Sequence, residues 1–397
     1  MLAGKLSTIT PSYTIGISSK VSELRAAGKS IIDLSIGEPD FYTPDSGKLV
    51  AKNAIDENRS KYDLVPGLLS LRQAICDKLE RENQVHYAPS EIVVSSGAKN
   101  ALTNTLMAVL DPGDEVIIPA PYWTSYPEMV KLCGGVPKIV STEAENDYKL
   151  TLEQLKSALT PKTKLLLINN PSNPTGAVYT KEELEPLVNY CVEKSLLILA
   201  DEIYEKIHFD APFTSIPSLS EAAKDITILV NGFSKSAAMT GWRLGYTASN
   251  GLLAKAMSTI QGHLISHPST IAQWAGLGVL QDGDEAMRQM VETYKSRRNA
   301  LVPLLDDLPN TTYVYPKGAF YLFISLTHYR PYLPNDTSFS MAISNRLLED
   351  YGVAVVPGIA FGNDDCIRIS YATKLEWVVE GLQKISHFLK SLEEMAK

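Results

Sequence analysis

Six short apolar runs lie between residues 92 and 232, and longer helical-looking stretches separate most of them. They are IVVSS (92–96), EVIIP (115–119), PKIVS (137–141), KLLLINN (164–170), LLILAD (196–201) and TILVNG (227–232). A strand that is apolar on both faces must be covered on both. Strands that alternate with helices therefore pack as parallel neighbours between two helical layers. The pattern predicts an α/β fold: a large domain over 46–285 with a mostly parallel sheet sandwiched by helices. TKEELEPLVNYCVEK (180–194) is one of the helical stretches. After about residue 285 the texture changes to a long helix near 284–306, strands near 319–324 and 366–370, and helices near 337–350 and 375–394. This predicts a smaller α+β domain over 286–397, with residues 1–45 packed onto it. Two domains also suit a chain of 397 residues, which is long for a single core.

Charge narrows the function classes. The net charge of −8, with no basic stripe, argues against a nucleic-acid partner. No run approaches the ~18 apolar residues of a membrane span, and MLAGKLSTITPS lacks the apolar centre of a signal peptide. Cys76, Cys133, Cys191 and Cys366 lie far apart without a C-x-x-C pair, which reads as reduced thiols and not as a disulfide framework or a zinc site. The expectation is a cytoplasmic protein without a structural metal.

Ligands of open α/β sheets bind at the carboxyl ends of the strands, and four candidate strands end in polar or glycine-rich residues. In SSGAKNAL (95–102), Gly97 turns the chain and a helix begins near Ala98, which offers free N–H groups to an anion. Lys99 sits in the first turn, where its charge opposes the helix dipole. NNPSNPTG (169–176) holds the side-chain amide of Asn173 in a rigid turn, with one X–Pro bond a candidate for the cis form. LLILADEIY (196–204) delivers Asp201 at a strand end and Tyr204 three residues on; a helix-capping role for Asp201 is the competing reading.

The fourth is GFSKSAAMTGWRLGY (232–246), which sets Lys235 among small and apolar neighbours and Arg243 eight residues later. A lysine so placed is costly unless its amine does chemistry. Lysine, carboxylate, amide and a phosphate-ready turn at one sheet edge are what pyridoxal 5′-phosphate requires. Arg243 offers a fork to the phosphate, and Trp123 in PAPYWTSYP (119–127) offers a flat face to the ring.

With these motifs in view, the chain resembles the class I, fold-type I pyridoxal-phosphate aminotransferases, and within them the bacterial aspartate/prephenate aminotransferase branch. The resemblance runs through SIGEPDFYTP (35–44), KYDLVPG (61–67), SGAKNAL, PYWTSYPE, NNPSNPTGAVY, ADEIYE, GFSKSAAMTGWRLGY, GAFYLF (318–323) and IRISYA (367–372). It implies that Lys235 bonds the cofactor and carries the proton, that Asp201 pairs with the ring nitrogen, and that Asn173 and Tyr204 hydrogen-bond the phenolic oxygen. Trp123 would stack on the ring. Arg243, Ser234 and the backbone around Gly97, Ala98 and Lys99 would hold the phosphate. Tyr62 would reach the phosphate of a neighbouring subunit, which implies a homodimer with shared sites. Gly37, Lys99, Trp123, Asn173 and Arg368 would meet the substrate, with Arg368 on its α-carboxylate and Lys99 on a distal carboxylate.

The implied reaction is ping-pong transamination of L-aspartate and 2-oxoglutarate to oxaloacetate and L-glutamate. A prephenate or aromatic aminotransferase is the alternative. A lyase or decarboxylase on the same fold, or a non-enzymatic cofactor-sensing regulator, is a further one. PSYTIGISSK (11–20) resembles the family's mobile entrance segment but carries Tyr13 where a small residue after Pro-Ser is usual, so the resemblance does not fix the shape of the side-chain pocket.

Overall fold

The computed structural model describes residues 3–210, 212–333 and 338–395. After a two-residue first strand, β1 (Ile32–Asp33), the six apolar runs become β2 (Ile92–Ser95), β3 (Glu115–Ala120), β4 (Val136–Ser141), β5 (Thr163–Asn169), β6 (Leu197–Asp201) and β7 (Thr227–Gly232). A seventh member, β8 (Gly245–Ala248), joins them in a sheet of order β2-β8-β7-β6-β5-β3-β4. Every pairing is parallel except those of β8, which runs antiparallel to both β2 and β7. The sequence reading has no strand here, because GYTA is four residues long, opens on glycine and has no alternation to mark it.

Burial follows the layers that cover each strand. All residues of β2, at one edge, and of β7, inside the sheet, are buried, as a strand covered on both faces demands, whereas β4 at the other edge is half-exposed or exposed throughout. Leu165, Leu166, Ile198 and Leu199 at the sheet centre are fully buried, each contributing ~1.5–3 kcal/mol of apolar transfer. The covering helix Lys181–Lys194 starts where Thr180 and Glu183 satisfy each other's backbone N–H groups at 3.3 and 2.8 Å, and it stops at Ser195 in a left-handed conformation.

A second, antiparallel sheet has the order β12 (Val356–Pro357), β13 (Cys366–Ser370), β10 (Tyr321–Ser325), β9 (Thr312–Tyr313). It packs against the helices Asp284–Asp306, Phe339–Tyr351 and Leu375–Met395. β1 pairs in parallel with β11 (Val353–Ala354), and the Leu34 carbonyl accepts from Ser370 N–H at 2.8 Å. The segment leading to Ser35 is thereby tied to the end of β13. Ile203, Tyr204 and Ile207, just past β6, share a core with Tyr294, Phe320 and Ile369. The carboxyl ends of the large sheet's parallel strands therefore face this second sheet, and a cavity lies between them.

Candidate active site

Two glycines shape one wall of the cavity. Gly97 turns the chain after β2 at φ +82°, and the helix Ala98–Val109 follows. A Cβ on Gly97 would stand 2.5 Å from Arg243 Nη2, and one on Gly245 would stand 2.5 Å from the Ala98 nitrogen. The absence of both side chains lets the Arg243 guanidinium sit against the start of the helix. Arg243 is itself held at φ +55°, with Nη1 donating to the Thr240 carbonyl at 2.8 Å.

β6 brings Asp201 to the opposite wall. The Tyr126 hydroxyl donates to Oδ2 at 2.6 Å and the Ile203 N–H to Oδ1 at 3.2 Å. Burial pushes the carboxyl up to about 6, against the pull of those two donors and of Lys235. A tight turn follows Asp201, and no helix, so the helix-capping reading is wrong.

Past β7, the short helix Phe233–Ser236 carries Lys235 into the cavity, where Nζ donates to the Gly37 carbonyl. Burial brings its pKa down to about 8; Glu38 opposes this, while Arg368 and Arg243 add to it. The amine is therefore far closer to its neutral, nucleophilic form at physiological pH than an ordinary lysine.

Arg368, on β13, is 3% exposed. Nη1 donates to Asn173 Oδ1 at 3.1 Å and Nη2 to the Ser35 carbonyl at 2.8 Å, and Nε is buried without a partner. Its guanidinium carbon lies 4.3 Å from the centre of the Tyr321 ring. No carboxylate pairs with it among the described residues. A buried cation in this state is a strong demand for an anion. Asn173 lies between two cis peptide bonds, Asn170–Pro171 before it and Asn173–Pro174 after it, and its N–H donates to Asn169 Oδ1 at 2.8 Å. Lys99 is exposed at the cavity wall, with Nζ 4.9 Å from the centre of the Trp123 ring. The surrounding protein, and then Arg243, lower its pKa.

The cavity measures about 630 Å³. Gly37, Ala98, Lys99, Trp123, Asn173 and Asp201 line it, as do Tyr204, Ser234, Lys235, Arg243 and Arg368. Gly97 sits just behind, against Arg243. Tyr62 is not brought in: it is 90% exposed and meets His267 edge-on, with ring centres 5.7 Å apart. The Tyr204 hydroxyl is 2.8 Å from that of Tyr321, a partner the sequence reading did not supply. Tyr13 packs against the cluster of Phe323, Val356 and Phe361 and does not line the cavity. Thr14, Ser18, Ser22 and Arg25 of the helix Tyr13–Ala26 line the cavity in its place. Their near-fourfold spacing is a polar helical stripe that a periodicity search could have found. Tyr126, Tyr321 and Ser35 carried no comparable signal.

The family model described as aminotransferase class I and II matches residues 29–385. The aspartate aminotransferase of Bacillus sp. (strain YM-2) is 43% identical over 393 residues, covering 98% of this chain and 99% of the relative. The probable aspartate/prephenate aminotransferase of Aquifex aeolicus (strain VF5) is 43% identical over 397 residues, covering 99% of each. Among solved structures, the aspartate aminotransferase of Thermus thermophilus with maleate superposes at a TM-score of 0.91 and 39% identity, covering 98% of this chain and 99% of that one. With its mostly parallel sheet, its lysine at the strand ends and a match that spans nearly all its length, this chain belongs to the class I and II aminotransferases.

Proposed function

We propose that the chain is a pyridoxal 5′-phosphate-dependent aspartate aminotransferase that converts L-aspartate and 2-oxoglutarate to oxaloacetate and L-glutamate. The observation that carries the reading is the pairing of a buried guanidinium, Arg368, which has no carboxylate partner among the described residues, with an amine, Lys235, whose pKa is lowered to about 8. The relatives named as aspartate aminotransferases support the same substrate.

The donor set fits the cofactor. A Cβ at Gly97 would fill the cradle that Arg243 and the helix start form, which suits a phosphate held by Arg243, Ser234 and the backbone at Gly97–Lys99. Asp201 would pair with the ring nitrogen, Asn173 and Tyr204 with the phenolic oxygen, and Trp123 would lie against the ring. When bound, the cofactor supplies the electron sink that makes an α-proton acidic. The remaining work falls to this chain's residues. Arg368 Nη1 and Nη2 orient the α-carboxylate with Gly37 beside it, and the Lys99 ammonium meets the distal carboxylate. Lys235 Nζ removes the α-proton, holds it and returns it one position away, acting as base and then as acid. Arg243 and Arg368, which oppose protonation of Lys235, keep that proton transferable.

The same reading takes the chain as a cytoplasmic homodimer, supported by the exposure of Tyr62 at 90%, which would serve the partner's site. It also divides the chain into a large domain, 46–285, and a small one, 1–45 with 286–397. The division is supported by β2–β8 falling within the first and β1 with β9–β13 within the second. A prephenate preference is the second reading, favoured by Lys99, which would meet that distal carboxylate equally well, and by relatives named for both substrates.

The test is spectroscopic. The cofactor-loaded protein is given aspartate, glutamate, phenylalanine or alanine separately, and the visible band of the lysine-bound cofactor is followed. Loss of the band with the acidic pair alone is expected. Loss with phenylalanine alone overturns the acidic-substrate assignment, and no such band after adding the cofactor overturns the whole reading.

A further inference from the structure

Arg368 donates to two acceptors, and the residue carrying each is itself tied to a neighbour. Asn173 is anchored through its N–H to Asn169 Oδ1 at 2.8 Å. Ser35, whose carbonyl is the other acceptor, is held by Asp33. Its Oδ1 accepts from both the Ser35 N–H, at 3.0 Å, and the Ser35 hydroxyl, at 2.6 Å. These two bonds close a small ring around the Ser35 peptide. The Leu34 carbonyl, meanwhile, accepts from Ser370 N–H at 2.8 Å, and Leu34 N–H donates to the Ala354 carbonyl at 2.9 Å. Ser35 is 6% exposed, so its N–H and hydroxyl lose their recorded acceptor if Asp33 is lost. The chain leading into Ser35 is thus tied down on its N-terminal side, and the Ser35 carbonyl that follows accepts from Arg368 Nη2 at 2.8 Å. Asp33 also lines the cavity, with no ion-pair partner among the described residues. The contacts it makes there are the two bonds to Ser35.

We propose that Asp33 is a positioning residue: through Ser35 it sets the orientation of the Arg368 guanidinium and so the affinity of the site for substrate carboxylates. This rests on the reading of Arg368 as the α-carboxylate anchor. What Asp33 contributes is an acceptor oxygen at one place, so Asp33→Asn, which retains Oδ1, preserves it, and Asp33→Ala abolishes it. Ser35→Ala removes the hydroxyl arm and leaves the N–H arm, giving an intermediate state.

The experiment is calorimetric titration of the cofactor-loaded full-length chain with maleate as an unreactive dicarboxylate, alongside steady-state kinetics with aspartate. Asp33→Ala is expected to weaken maleate ~10-fold, a loss of one hydrogen bond to a charged group. KM should rise in parallel while kcat and cofactor affinity stay within about twofold. Asp33→Asn is expected within about twofold of the parent throughout, and Ser35→Ala between the two. Unchanged maleate affinity in Asp33→Ala overturns the proposal, as does a loss in Asp33→Asn as large as in Asp33→Ala. If Asp33→Ala does not fold, the Asn and Ser35→Ala variants decide in the same way. Arg368→Ala separates the two levels. If it binds maleate like the parent, the anchor reading falls and the proposal with it. If it loses maleate while Asp33→Ala does not, only the positioning by Asp33 falls.

Discussion

Substituting alanine for Gly97 tests whether the turn after β2 is built for a phosphate. Two costs follow from the geometry, and they land on different measurements. At φ +82° and ψ 165° an L-residue is strained, by ~1–3 kcal/mol. The new Cβ would also lie 2.5 Å from Arg243 Nη2 and 3.0 Å from Cζ. Arg243 is exposed, so its guanidinium can swing aside and relieve the clash at little cost to stability. The fold should therefore lose only the backbone share, ~1–3 kcal/mol. The site, however, loses the charge-assisted bonds that a displaced guanidinium no longer makes, worth ~1.5–3 kcal/mol, or ~10–100-fold in affinity. The assays are denaturant unfolding of the cofactor-free chain and fluorescence titration with pyridoxal 5′-phosphate. A folded Gly97→Ala protein that binds the cofactor within twofold of the parent refutes the cradle. Gly245→Ala is the control. Its Cβ would meet the backbone itself, 2.5 Å from the Ala98 nitrogen and 2.7 Å from the Gly97 carbonyl carbon. Backbone cannot swing aside, so stability should fall further than in Gly97→Ala.

Lys235→Ala should lower turnover at least ~10³-fold, since one amine serves as base and acid; substantial activity in that variant would remove Lys235 from the mechanism. In the cofactor-free chain, Lys235 should react with an amine-specific reagent along a pH curve centred near 8, as its lowered pKa requires; mass-spectrometric labelling that inflects near the ordinary lysine value of 10.5 would contradict the burial argument. Lys99→Leu should raise KM for aspartate ~10-fold or more while sparing phenylalanine, because it removes one charged contact to a distal carboxylate; competition kinetics with equal losses for both amino acids would displace Lys99 from specificity. Glu202 is buried beside the Ser215 hydroxyl at 2.6 Å and the Ile216 N–H at 2.9 Å, and burial pushes its carboxyl up to about 8. Between its ordinary value of 4.5 and 8 the folded state holds a proton that the unfolded state has released. Stability from this group is thus complete at low pH and lost as pH rises through 8. Glu202→Gln should flatten the dependence between pH 5 and 8 in denaturation experiments, and equal slopes would refute the assignment.

The large sheet was legible because its strands announce themselves locally. Runs such as LLLI and TILV are too apolar for any exposed face, and each ends where the polarity changes. Their common direction then follows from the helices between them, so Gly97, Asn173, Asp201 and Lys235 could be placed at one edge before any coordinate was known. β8 was not legible, because a four-residue strand beginning with glycine is stabilised by its two neighbours and not by its own pattern. The orientation of Tyr13 escaped for a related reason. Its position on a helix is local, but which side of that helix faces the cavity depends on where β12 and β13 lie.

What the sequence by itself determined is therefore the chemistry available: an amine, a carboxylate, an amide and a phosphate-ready turn, each delivered by its own strand. What the tertiary structure alone decided is their electrostatic state. Arg368 meets the Ser35 carbonyl across 333 residues, and Tyr204 meets Tyr321 across 117. Such contacts have no local periodicity, since they arise only when two sheets close over one cavity. The same closure buries Asp201 and Arg368 and partly buries Lys235, and the loss of hydration moves their pKa values away from those of the free side chains.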